Sequence, residues 1–501
     1  MHSGTHSVGR GLWPGRVLID RYRAVLCAAA VGVVSLGIYL ATLAPGLTWA
    51  HDSGDGAELA AAACLLGIPH PPGYPSYMLL AHLFTLLPLG EIATRTNLLS
   101  AISAAGASTL LAWTLSRWGN RWVSAIGAGL ALACAPLLWA QAVITDVHAL
   151  NGLFTSALLA LAVVADQKSK AESPGRGWLA LVIGGVWGLS LGNHLTAVFL
   201  APLVLSALWR LGRHGLAGVP GIMFGLAVYL YLPVRAAAGP LINWGNPRTL
   251  GRLWWMLTGG EYRRFVFSLP SGLWPARLAA LSGLLTRQFS AVGLIVAALG
   301  CTALWRRHRP ILVATAIAAV LCVAFAVGYG TTDSYTYLIP ALVSGAFWLG
   351  TGIEEILATL DARARWSTRA AGAAVVGMLA IAIVCRFRAL DLSSDRSVYE
   401  FRATVLDPAP GRAVLVSQQD EQTFALWYFT YALGLRPDVV VVDLDLLQYD
   451  WYTAGLPGNL GEEALSSLAN GDVDAKRTAT LLARPVCRIE AAPVVLTCVE
   501  P

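Results

Sequence analysis

Asp52, Asp55 and Glu58 fall at intervals of three in TWAHDSGDGAEL (48–59), and HPPGYP (70–75) follows shortly after. Prolines there cannot extend a helix and impose a rigid turn on His70. Asp55 and Glu58, at i and i+3, share one face of a short helix. Carboxylates this close together beside an apolar stretch are costly unless they are solvated or used. Three uses stand open. In a helix start, Asp55 is the N-cap and Glu58 the third helical residue, a variant of the capping box. A catalytic base takes a proton from a hydroxyl nucleophile, an effect typically of order 10²–10⁴ in rate. Oxygen ligands also suit Mg²⁺ or Mn²⁺, although nothing in the spacing requires a metal.

Other polar residues sit where apolar runs end. Asp146 and His148 lie in QAVITDVHALN (141–151), Asn193-His194 forms a tight break, and Arg235 closes AVYLYLPVR (227–235). Each can satisfy exposed helix ends, and an arginine there can anchor at the lipid headgroups. Read together with Asp55, they can instead line one site, with Arg235 placed to grip a phosphate bidentately. Asp333 and Tyr335 read as structural residues at the start of a span. Asp420, Trp427, Arg436 and Asp438 read as stabilising the tail.

The elements that must position these groups follow from composition. Of 501 residues, 56% are hydrophobic and only 13% charged, about half the charge of a typical soluble chain. The chain therefore reads as an all-α polytopic membrane protein. Its net charge of +6 does not argue for nucleic acid, because Lys and Arg sit in short clusters between apolar runs. Hydropathy predicts about eleven spans of roughly 17–22 residues, at 22–44, 97–116, 121–140, 148–166, 177–193, 194–210, 215–235, 288–306, 310–329, 335–355 and 369–387. Basic connections (Arg10 to Arg23, 117–121, 168–176, 210–213, 306–309, 363–369) alternate with connections lacking Lys and Arg. That alternation puts the N-terminus in the cytoplasm and the C-terminal tail outside. The parity closes only if Ser76–Leu89 lies in the membrane interface rather than crossing.

Residues 1–387 thus form the membrane domain, with a first outer loop at 45–96 and a second at 236–287, whose aromatic and basic mixture suits a helix resting at the headgroups. Residues 388–501 read as a small α/β extracytoplasmic domain: a strand at 412–417, a helix at 421–433, a buried strand at 438–444 and a hairpin from 486 to 499. Cys487 and Cys498 flank RIEAAPVVLT (488–497) within it, and an oxidising location would let them pair; the sequence leaves this open.

Asp55-Gly56-Ala57-Glu58 followed by His70-Pro71-Pro72-Gly73-Tyr74-Pro75 resembles the D-x-G-E…HPPGYP signature of a GT-C superfamily of membrane glycosyltransferases, in the family that includes bacterial proteins and the plexin-type protein O-mannosyltransferase of eukaryotes. Thr145-Asp146-Val147-His148, Gly192-Asn193-His194, Leu232-Pro233-Val234-Arg235, Asn243 to Pro247, Asp333-Ser334-Tyr335 and Arg436 to Val439 match in the same order. Asp146-Val147-His148 stands where the family often has E-V-Y, and Gly192-Asn193-His194 where it often has S-H-H.

The resemblance implies a GT-C-like fold and inverting transfer of a sugar, mannose by analogy, from a polyprenyl-phosphate donor to a hydroxyl acceptor on protein or glycan at the outer face. It implies Asp55 as base with Glu58 assisting, although Asp52, an acid extra to the signature, leaves open which acid is the base; Asp52, His70, Tyr74, Asp146, His148, His194 and Arg235 are read as substrate-binding residues. No cofactor is certain, and Mg²⁺ or Mn²⁺ remains open. The competing readings are a transporter or lipid flippase, which calls for broken helices at mid-membrane and internal symmetry, and a non-catalytic membrane scaffold.

Overall fold

The computed structural model describes residues 14–170, 174–361, 365–456, 460–469, 475–491 and 494–501. Arg10 and parts of the basic connections 168–176 and 363–369 lie outside the described residues.

Among these residues, eight helices are long and apolar enough to cross a membrane, and the chain is a multi-pass membrane protein. Eight of the expected spans find such a helix. The other three differ, each for a local reason. The segment expected at 121–140 is two helices, Trp122–Ala133 and Pro136–Ala142, bent by 63°; Pro136 starts the second helix and cannot continue the first. Helix Arg176–Asn193 ends at the extended residue His194. The following segment opens as a 3-10 turn, Leu195–Leu200, before helix Ala201–Arg210. Neither counts as a span by length and hydropathy. Helix Arg176–Asn193 packs through glycines: a Cβ at Gly184 would lie 2.1 Å from the Gly218 carbonyl oxygen. Small residues of this kind let two backbones approach closely.

Ser76–Leu89 does not cross. It contains an 11-residue helix, Pro75–Thr85, too short for a bilayer core of about 30 Å. The second outer loop is shorter than expected, because helix Trp274–Arg307 begins well before residue 288 and is broken at Ser290 (φ 61°). The expected loop helix is present at Leu250–Leu257, with Leu250 and Trp254 exposed.

The tail carries four strands, β1 (Val414–Ser417), β2 (Val440–Asp443), β3 (Val486–Ala491) and β4 (Val494–Val499), in the order β2-β1-β3-β4. β1 is parallel to β2 and β3, while β3 and β4 form an antiparallel hairpin in which Cys487 faces Cys498. The two cysteines are joined by a disulfide.

The tail does not stand apart from the membrane helices. One apolar core unites Ala60–Ala63, Tyr77 and Trp244 with Phe401, Phe424 and Tyr428. Polar ties reinforce it: Leu392 N donates to Thr42 O (3.1 Å), Thr48 Oγ1 to Asp395 Oδ2 (2.6 Å), and Ala93 N to Tyr428 Oη (3.0 Å). The first loop and the tail therefore sit at the same end of the bundle.

Candidate active site

Helix Gly56–Leu65 presents the acids. Asp55 holds its N-cap position, but its side chain makes no capping hydrogen bond, and Glu58 does not close a capping box. Glu58 is fully buried and turns to His70. Its Oε1 accepts from His70 N (3.2 Å), and its Oε2 lies 2.5 Å from His70 Nδ1. The other imidazole nitrogen, Nε2, lies 2.8 Å from the Tyr74 hydroxyl and 3.6 Å from Asp55 Oδ2. The turn that aims the ring requires Gly73 at φ +82°, where a Cβ would also strike Leu232.

Burial opposes charge on His70, but the carboxylates of Asp55 and Glu58 outweigh it and raise its pKa to about 9. An imidazolium donates through both nitrogens. Tyr74 then accepts from Nε2, and its own O–H is left to donate elsewhere. Burial raises the pKa of Asp55 and Glu58, with His70 pulling both the other way.

The side chain of Asp55 is 51% exposed, yet protein surrounds it closely enough to desolvate it. The two facts agree because the carboxylate opens into a half-open cavity of about 480 Å³. That cavity is also lined by Asp52, His70, Tyr74, Asp146, His148 and His194. Asp52 accepts a hydrogen bond from the Tyr335 hydroxyl. Asp146 Oδ1 accepts from His148 N at 2.6 Å; burial, opposed by that bond, takes its carboxyl to about 7. His148 and His194 stand with ring centroids 4.9 Å apart. His194 Nδ1 accepts from Thr196 N at 3.2 Å, so the neutral ring carries its proton on Nε2 and is a donor there.

Arg235 is the exception. Its Nε donates to Leu66 O at 2.7 Å and Nη2 to Leu65 O at 3.4 Å, and it does not line the cavity. The last carbonyls of helix Gly56–Leu65 have no partner within the helix and carry the negative end of its dipole, which a guanidinium satisfies. The phosphate role expected for Arg235 is thus corrected to a helix cap.

Four residues assigned otherwise, or passed over, line the cavity instead. Arg263 belongs to the 3-10 turn Gly260–Phe265 and is the only arginine or lysine among the described lining residues. Its Nε donates to Gly260 O at 3.1 Å. Tyr262 beside it packs at 5.3 Å from the His70 ring, and burial first, then Asp55, pushes its phenol well above its usual range. The signal for both was the aromatic and basic EYRRF, read only as a headgroup contact. Asp333 and Asp420 also reach the cavity, whereas Arg436 and Asp438, expected to stabilise the tail, form an ion pair (2.9 Å).

Among the described residues, no group of three or more His, Cys, Asp or Glu side chains is arranged to hold a metal ion. No step below passes through a metal ion.

Comparison with known proteins bears on both fold and site. The family description "Protein O-mannosyl-transferase TMEM260 N-terminal domain" matches residues 55–213, and "TMEM260-associated domain 2" matches residues 398–462. Protein O-mannosyl-transferase TMEM260 of Mus musculus is 28% identical over 477 residues, covering 90% of this chain and 66% of that protein. The Dictyostelium discoideum protein of the same name is 21% identical over 487 residues, covering 85% of this chain and 58% of the relative. The chain thus spans less than two thirds of either relative. The crystal structure of ArnT from Cupriavidus metallidurans bound to undecaprenyl phosphate superposes with a TM-score of 0.59 at 15% identity, covering 96% of this chain and 94% of that one. The fold is GT-C-like, and the sequence resembles the TMEM260 proteins.

Proposed function

We propose that this chain is an inverting membrane glycosyltransferase that moves a sugar, mannose by analogy with the named relatives, from a polyprenyl-phosphate donor to a hydroxyl of a protein acceptor. The observation that carries the reading is Asp55: a carboxylate lining a half-open cavity and backed by the His70–Glu58–Tyr74 cluster. Burial makes it a better base than a free aspartate, and the imidazolium fixes its position.

In the proposed step, the acceptor oxygen attacks the anomeric carbon as its proton passes to Asp55. The bond from that carbon to the phosphate oxygen breaks, and its electron pair leaves with the lipid phosphate. A phosphate is already a good leaving group, so no strong general acid is needed. Arg263, in place of Arg235, and His194 through Nε2–H supply donors to the charge that grows on the departing phosphate. Single displacement inverts the anomeric centre.

The site faces the extracytoplasmic side and the N-terminus the cytoplasm. The basic connections support this orientation, and the Cys487–Cys498 disulfide suits an oxidising compartment. The test is direct. Purified chain, polyprenyl-phosphate mannose and end-blocked threonine peptides should yield a glycopeptide whose anomeric configuration is opposite to the donor's. Retention, or transfer that occurs equally without the protein, would refute the proposal.

A further inference from the structure

Asp420 is the one described cavity residue that comes from the tail. It opens helix Asp420–Trp427, which packs along helix Gly56–Leu65. The buried alanines 60–63 make that approach possible, because larger side chains would hold the helices apart.

Several contacts fix where Asp420 stands. One turn on, Phe424 is fully buried and stacks on the His70 ring at 6.5 Å with planes 8° apart. Adjacent Glu421 abuts the loop between Asp52 and Asp55, where a Cβ on Gly54 would come within 3.1 Å of its Cγ. Beneath them, the Thr423 hydroxyl donates to the buried Asp443 and lies against Ser417 of β1. The tail therefore holds Asp420 in fixed register with Asp55 and His70.

The carboxylate itself has unused capacity. Among the described residues, no protein donor hydrogen-bonds to it, whereas Asp52, Glu58 and Asp146 each have one. An ionised carboxylate offers about four acceptor sites, and those of exposed Asp420 are open to a ligand in the cavity that it lines. A group facing the cavity in this way is ready for a ligand that donates.

The two substrates of the proposed reaction arrive by different routes. A polyprenyl-linked donor stays in the bilayer, on the side of the membrane helices that line the cavity together with Arg263. A polypeptide acceptor comes from water, past the wall built by the extramembrane tail. Resting on the reading of the site given above, we propose that Asp420 is an acceptor-binding residue, its carboxylate accepting a hydrogen bond from a backbone N–H beside the accepting Ser or Thr. The tail thereby selects polypeptide over other hydroxyl compounds.

The test uses the full-length chain with polyprenyl-phosphate mannose and blocked threonine peptides. Asp420→Ala should raise the peptide KM about tenfold or more, the scale of losing a hydrogen bond to a charged group, with kcat and the donor KM changed less than twofold and the melting temperature kept. Asp420→Glu should recover part of the loss. Methylating the peptide nitrogens one at a time should identify one position that raises KM for the wild type but not further for Asp420→Ala. A wild-type peptide KM in Asp420→Ala, or additive losses at every methylated position, would overturn the inference. Asp55→Asn in the same assay keeps the two levels apart. If it is inactive while Asp420→Ala keeps the wild-type peptide KM, only the role of Asp420 falls; if it turns over normally, the reading of the whole site falls.

Discussion

The two ends of the helix bundle use the same residue types in opposite ways. At the end away from the tail, acids meet guanidinium groups. Arg121 pairs with Glu354 and lies 3.3 Å from Asp361, Arg210 pairs with Asp166, and Arg307 lies 2.9 Å from Glu355. Glu354 also accepts from Arg121 N (2.7 Å) and Ser124 Oγ (2.8 Å). At the cavity end, Asp52, Asp55, Glu58 and Asp146 face imidazoles, phenols, a backbone N–H and one another, and among the described residues Arg263 is the only guanidinium lining the space. A carboxylate paired with arginine has its charge and its hydrogen bonds met, and it holds helices together. Burial instead raises the pKa of Asp55, Glu58 and Asp146, and Asp55 also opens to the cavity, which is what proton transfer requires.

Substitutions at the two ends should therefore separate activity from stability. The largest effect is expected at His70. His70→Ala should lower kcat about a hundredfold, the lower bound of the usual range for positioned proton transfer, because Asp55 loses the cation that fixes it. The same ring gives a pH signature. Its folded pKa of about 9 lies above the unfolded value, so its contribution to stability is complete below about pH 6.5 and is lost as pH rises through 9. Thermal denaturation across that window should show a decline in the wild type that His70→Asn lacks; identical profiles would deny the ring its charge.

Next in size is Arg263→Gln, which should raise the donor KM about tenfold or more while leaving the peptide KM alone. A smaller effect is expected at the other end. Glu354→Gln should cost about 1–2 kcal/mol in detergent unfolding without changing kcat, and a loss of turnover there would blur the contrast between the ends. The smallest belongs to Arg235→Ala, about 1 kcal/mol or less of stability for a lost helix-end contact and an unchanged donor KM. A raised donor KM in that variant would return the phosphate role to Arg235.

Much of this was legible in the sequence because it is local. The acids, His70 and the prolines lie within one stretch, and their spacing alone sets them against each other. The long apolar helices announce themselves by length. What stayed hidden depends on partners distant in sequence. Whether an arginine grips phosphate or caps a helix is decided by what it meets in the fold: Arg235 meets the carbonyls of Leu65 and Leu66, and nothing in LPVR shows this. Asp420 read as a tail residue because its distance from Asp55 in sequence conceals the alanine surface that brings the two helices together. Helix Arg176–Asn193 and the segment after it read as spans because hydropathy does not register the break at His194 or the glycine-to-glycine packing that follows. The disulfide could be stated only once the register set Cys487 against Cys498.

The most direct measurement is single-turnover transfer by Asp55→Asn beside the wild type, both shown to be folded by melting temperature. The account predicts a fall of roughly 10²–10⁴ in the rate of glycopeptide formation with both substrates still bound. Wild-type turnover by the folded variant would contradict it.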